Sequence, residues 1–244
     1  LYQQAGYRTG VYTSPHLHQF NERIAIDGVA VSDEQLIQAF LAIESVRCGV
    51  ALSFFEFTTL AGLWLFQRAA LDVVILEVGL GGRLDAVNMV DGDVGVVTSI
   101  GLDHTQYLGQ SRAAIAYEKM GIARPGRPLI CGEVDPPAVI AELADYHQVD
   151  YRQIGVDYDY RVVDDAWFFT SASGRMESMP LPALRVDHAA TALEVVNTLQ
   201  ERLPVKLAQG CSALSRVAVP GRMTCYDWPR LTLMDVAHNP QSVM

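Results

Sequence analysis

The sequence predicts an α/β fold built on a mostly parallel sheet, and three observations predict it. Two short β-branched runs, DVVILEV at 72–78 and VGVVTSI at 94–100, have the unbroken apolar character of strands covered on both faces. Stretches with apolar residues at helical spacing alternate with such runs, which is the order of a parallel sheet with crossover helices. The chain has 244 residues, half of them apolar, enough for one large core or for a large domain with part of a second.

Taken in order, the opening LYQQAGYRTGVYTSP reads as the end of a helix, a glycine turn and a strand. Segment 33–48 has helical spacing, with Ser32 and Asp33 available as caps. Segment 56–71 is a second, more uniformly apolar helix, predicted to be buried. After the strands at 72–78 and 94–100 come a helix over 111–122, ended by Pro125 and Gly126, a strand over 127–131 and a helix over 136–147. The stretch 151–180 alternates apolar and polar residues around turns and reads as an antiparallel hairpin or meander; 187–203 returns to helix. From Val217 onward, MTCYDW and LTLMDVAHNP look like the first strands of another domain. The expected division is therefore 1–216 and 217–244, with both ends cut through folded units of a longer protein.

Net charge is −10, from 28 acidic and 18 basic residues, which argues against a nucleic-acid or anionic-membrane partner. Only Lys119 and Lys206 are lysines, so a lysine set in a tight local motif stands out. Cys48, Cys131, Cys211 and Cys225 are scattered and read as reduced, mostly buried thiols of a cytoplasmic protein. No apolar run approaches the length of a membrane span.

Ligands of open parallel sheets gather beyond the carboxyl ends of the strands. Glu77 stands at one such end, and Asp103 and His104 just past another. Glu77 and His104 read either as ligands of a divalent cation or, more plainly, as a partner for Arg83 and a helix-start histidine. The glycines after Glu77 do not make a dinucleotide fingerprint, because Leu84 stands where the third glycine belongs. Nor is there a phosphate loop, since Glu118 precedes Lys119 and Val205 precedes Lys206. No G-x-S-x-G elbow supports a serine hydrolase.

Seven strings carry a resemblance: YTSPHL (12–17), SFFEFTTLAGLWLF (53–66), EVGLGGRLDAVN (77–88), TSIGLDHTQYLG (98–109), EKMGIARPG (118–126), PGR (220–222) and MDVAHNP (234–240). In this order they resemble the dihydrofolate synthase/folylpolyglutamate synthase family of the Mur ligase superfamily. The resemblance implies a central nucleotide-binding α/β domain followed by a smaller Rossmann-like glutamate-ligase domain. It also implies ATP-dependent ligation of L-glutamate to dihydropteroate or folates through an acyl phosphate, in folate biosynthesis. Two Mg2+ ions are implied, with Mn2+ as a substitute, in a protein that is monomeric at full length.

By the same resemblance, Ser14, Glu77 and His104 match metal ligands, and Lys119 matches a lysine converted to N6-carboxylysine. Ser53, Phe54, Phe55 and Glu56, with Leu84, Asp85 and Ala86, match stretches that contact the pterin, where the phenylalanines offer aromatic surface. Arg222 and Asp235 match contacts to nucleotide phosphate and ribose, with His238 and Asn239 beside them. His188 stands where the family carries an adenine-facing asparagine, and it cannot offer a base edge both a donor and an acceptor. The family's GTNGKGS loop and most of its second domain are expected outside these 244 residues, which alone are expected to be inactive. Two other readings are a non-catalytic folate- or partner-binding remnant and a Mur ligase acting on a cell-wall precursor.

Overall fold

Ser32 and Ser53 each begin a helix by the same device. The serine hydroxyl accepts the backbone N–H three residues on, and the side chain there, Gln35 or Glu56, accepts the serine's own N–H. These two boxes start α1 (Asp33–Val46) and α2 (Phe54–Arg68). The computed structural model describes residues 1–172, 174–182, 184–206, 210, 213–219, 221–222, 224–227 and 230–235. The chain falls into two compact units, Tyr2–Val90 and Asp91–Met244, with Leu1 joined to the second.

In the first unit, β1 (Thr9–Tyr12) pairs antiparallel with β2 (Ile24–Ile26), which pairs with β3 (Val29–Ala30). On its other side β1 pairs in parallel with β4 (Val73–Leu76), aligning Thr9 with Val73 and Tyr12 with Leu76. The helices α1 and α2 pack a core of Tyr12, Ile24, Leu36, Ile43, Leu65 and Phe66. Two threonines inside α2 spend their hydroxyls on the preceding turn: Thr58 donates to the Phe54 carbonyl at 2.7 Å and Thr59 to that of Phe55 at 2.8 Å. The expectation that β4 is covered on both faces is not met: Val74 is 44 % and Ile75 50 % exposed. Among the described residues, β4 pairs only with β1 and lies at the end of its sheet.

The second unit alternates strand and helix, as the sequence predicts. β5 (Gly95–Val97) leads through α3 (Thr105–Leu108) and α4 (Arg112–Met120) to β6 (Pro128–Cys131), then through α5 (Val139–Tyr146) to β7 (Asp150–Gln153). The three strands are parallel, with Val97 aligned to Cys131 and Cys131 to Gln153. An antiparallel meander follows: β8 (Tyr158–Val163), β9 (Ala166–Ser171) and β10 (Gly174–Pro180). It packs with α6 (Val186–Thr198) around the fully buried Trp167 and Phe169. Farther on, β11 (Thr224–Asp227) and β12 (Leu231–Met234) make a hairpin.

Three corrections follow. The helix predicted over 187–203 ends at Thr198, and the predicted hairpin region begins with a parallel strand, β7. Cys131 is buried as predicted, but Cys48 and Cys225 are exposed. No described helix is long and apolar enough to cross a membrane.

Candidate active site

Parallel pairing brings the carboxyl ends of neighbouring strands to one edge, and the candidate residues follow from that register. In the first unit, Tyr12 and Leu76 are aligned, so Ser14 and Glu77 emerge side by side. The Ser14 N–H donates to Glu77 Oε2 at 2.7 Å, and the Glu77 N–H to the Tyr12 carbonyl at 2.9 Å. The loop that carries Ser14 is held from below. Glu22 accepts the N–H groups of Leu17, His18 and Gln19 at 2.6–3.0 Å, and Arg23 Nε donates to His16 Nδ1 at 2.8 Å. The Ser14–Pro15 peptide is cis. Those backbone donors hold the Glu22 carboxyl below its ordinary pKa.

The two aromatic residues at the start of α2 have different neighbours. Phe55 lies 5.9 Å from the Tyr12 ring and presses on the strand-exit loop. A Cβ added at Gly79 would come within 2.6 Å of the Phe55 ring, so any larger residue there requires that ring to move or shrink. Phe54 is exposed and packs edge-on to Phe20, with the Arg23 guanidinium 5.4 Å from its ring centre. Phe54 also borders a cavity of about 420 Å3 with Phe20, Phe40 and Phe57. Ser53 and Glu56 are engaged in the α2 cap. In the loop of Leu84 to Ala86, Asp85 accepts the N–H of Leu80 and that of Val87, both at 2.9 Å. Leu84 is 80 % exposed and Ala86 half-buried.

In the second unit, His104 starts α3, so its plainer reading is correct as to place. Its backbone is left-handed, φ 48°, a conformation that costs a non-glycine residue about 1 kcal/mol. The His104 N–H donates to Asp103 Oδ1 at 2.7 Å, and its exposed ring has Nε2 4.0 Å from the same oxygen. The charge of Asp103 also acts on Lys119, which is half-buried in the last turn of α4. Burial lowers the Lys119 pKa and Asp103 partly opposes it. A lowered pKa leaves more neutral amine, the form that reacts with CO2.

Three of the nucleotide candidates also lie in this unit. Arg222 Nη1 stands 3.8 Å from Asp235 Oδ1. His188, near the start of α6, has its pKa lowered chiefly by desolvation, opposed by Asp187, with the charges of Arg185 and Arg222 adding to the lowering. Arg222 thus acts on the charge of His188 and lies beside Asp235. His238 and Asn239 lie outside the described residues.

Sequence reasoning missed Glu133 and Arg112. Glu133 is a buried acid two residues past β6, where the Ile100 N–H donates to it at 2.8 Å. The signal was present: an acidic residue after a glycine at a parallel strand's carboxyl end is placed like Glu77. Among the described residues, no three His, Cys, Asp or Glu side chains gather as a ready-made metal cage.

No family model matches the sequence. It is 44 % identical over 238 residues to the dihydrofolate synthase/folylpolyglutamate synthase of Escherichia coli K12, covering 98 % of this chain and 56 % of that protein. Its fold matches E. coli FolC in complex with DHPP and ADP at a TM-score of 0.94, over 98 % of this chain and 57 % of that one. The bifunctional enzyme from Yersinia pestis, complexed with AMPPNP and Mn ion, matches at 0.92 with 40 % identity, over 98 % of this chain and 58 % of that one. These likenesses define an α/β chain of the Mur ligase fold. It belongs to the dihydrofolate synthase/folylpolyglutamate synthase family. The chain spans a little under three fifths of the length of these relatives.

Proposed function

We propose that this chain is the central part of an ATP-dependent carbon–nitrogen ligase that adds L-glutamate to 7,8-dihydropteroate, to folate polyglutamates, or to both. The observation that carries the reading is the pairing of Ser14 with Glu77 at adjoining carboxyl ends of β1 and β4. In this reading 1–216 is the central domain and 217–244 begins the glutamate-ligase domain, in a cytoplasmic protein that is monomeric at full length.

By the likeness to the family, Ser14 and Glu77 in the first unit and His104 in the second would each serve as ligands of a divalent cation. A hydroxyl, a carboxylate and an imidazole suit Mg2+ less well than Mn2+, which accepts nitrogen more readily. Few protein ligands are needed, because Mg2+ keeps waters and takes substrate phosphate oxygens. Such ions, when bound, offset the charge of the transferring phosphoryl group. Lys119, once carboxylated, would exchange an ammonium for an anionic oxygen donor to a second ion. Arg222 would hold phosphate and Asp235 the ribose, with His238 and Asn239 as further nucleotide contacts beside them in the sequence, and His188 standing where the family carries its adenine-facing asparagine. Ser53 to Glu56 and Leu84 to Ala86 would border the pterin, with the Phe54 or Phe55 ring as a stacking surface.

In the reaction the substrate carboxylate attacks the γ-phosphorus and ADP leaves. The glutamate amine then attacks the acyl carbon, loses a proton and expels phosphate.

The test has two parts. In a Mn2+ titration followed by electron paramagnetic resonance, Glu77→Ala and His104→Ala are expected to bind about tenfold more weakly than wild type. In 13C-bicarbonate, a carbamate resonance is expected that vanishes in Lys119→Arg. Wild-type protein that takes up no Mn2+ and shows no carbamate overturns the reading. The 244 residues hold no Gly-Lys phosphate loop, so with ATP, Mg2+, glutamate and dihydropteroate little ADP is expected.

A further inference from the structure

Two side chains close on the backbone of a single residue, Ile100, in the second unit of the chain. Glu133 Oε2 accepts the Ile100 N–H at 2.8 Å, and Arg112 Nε donates to the Ile100 carbonyl at 2.9 Å. The two side chains also pair with each other, Arg112 Nη2 to Glu133 Oε1, at 3.3 Å. Arg112 reaches on to Asp135, whose carbonyl and carboxylate it meets at 2.6 and 3.1 Å, and the Asp135 N–H donates back to Glu133. Ile100 is 1 % and Glu133 9 % exposed.

A charged pair with one buried and one part-exposed member adds little net stability, because desolvation of the buried carboxylate offsets much of the attraction. What the arrangement does supply is geometry. Ile100 lies four residues before His104, on the strand exit that carries Asp103 and His104. Arg112 is the first residue of α4, and Lys119 lies seven residues on, roughly 10 Å along the helix axis. The clamp therefore ties the strand exit to the helix that bears the lysine.

We propose that Glu133 and Arg112 are positioning residues: they fix the backbone of Ile100 on both sides of its Cα, and through it the Asp103–His104 corner relative to Lys119, while touching neither cation nor substrate. This rests on the cation reading of His104 given above.

The test compares Glu133→Ala, Glu133→Gln and Arg112→Lys in the 244-residue chain with wild type and His104→Ala. It reads Mn2+ affinity by electron paramagnetic resonance, amide hydrogen exchange across 98–105, and melting temperature. Glu133→Ala and Arg112→Lys are expected to weaken Mn2+ binding about tenfold and to speed exchange across that segment. Glu133→Gln, which keeps an acceptor for the Ile100 N–H, is expected to recover most of both. Lower melting temperatures with Mn2+ affinity and segment exchange unchanged in the folded proteins would overturn the proposal. If wild type binds Mn2+ no better than His104→Ala, it is the cation reading that fails. Exchange then decides the clamp: faster exchange across 98–105 in the variants supports it, and unchanged exchange sinks it. Should Glu133→Ala fail to fold, Glu133→Gln and Arg112→Lys carry the same comparison.

Discussion

Asp85 shows how one side chain can build a loop. Its two oxygens take the N–H groups of Leu80 and Val87, so the turn through Gly81, Gly82 and Arg83 is closed from its far end. Asp85→Ala removes both acceptors and is expected to cost about 1–2 kcal/mol, read as a lowered melting temperature. Asp85→Asn, with one acceptor oxygen, is expected to lose about half as much. An unchanged melting temperature for Asp85→Ala would refute this account. At this scale the sequence showed well which residues stand at two adjoining strand ends: the register sets Ser14 and Glu77 side by side, whereas β5 ends at Val97 and His104 lies seven residues on, at the start of α3. It showed poorly which atoms remain available. The Glu56 carboxylate, read as a substrate contact, accepts the Ser53 N–H at 2.6 Å, a local bond that a string of letters does not distinguish from an open one.

At the scale of elements, the two capping boxes offer an internal control. Ser32→Ala and Ser53→Ala are each expected to cost about 1 kcal/mol, because the same pair of bonds is lost in both. Only the second should change ligand affinity, since Ser53 lies in the proposed pterin-bordering stretch. The α2 box is also pH-sensitive. The Glu56 pKa is lowered, chiefly by the Ser53 N–H. Its contribution is present above the ordinary glutamate value of 4.5 and is lost as pH falls below it. Glu56→Gln should therefore flatten the acid limb of the melting temperature against pH. An unchanged limb would assign that sensitivity to other carboxylates, such as Glu22. The helices were legible because their apolar spacing and serine caps agree. β7 was not, because DYRQ is polar and half-exposed and joins its sheet through backbone bonds to β6, which leave no pattern in side chains.

For the whole molecule, the α/β class and the order of strands and helices in the second unit were readable from alternation alone. The exposure of β4 was not, since an apolar run is silent about how many neighbours a strand has. Val74 and Ile75 point to opposite faces of an edge strand, and both are exposed. Such an edge is a template for pairing with another copy. The 244-residue chain is expected to self-associate with rising concentration in sedimentation velocity, and Val74→Lys to suppress this. Equal behaviour of the two proteins would show that association, if present, uses another surface.

The contact between Gly79 and Phe55 has a consequence of a different kind. With a ring occupying the place where any Cβ would go, bulk at one position must be surrendered at the other. A library randomised at both positions and sorted for folded protein should return matched pairs, such as alanine at 79 with leucine at 55. Enlarged residues at 79 should not be recovered alongside an intact phenylalanine.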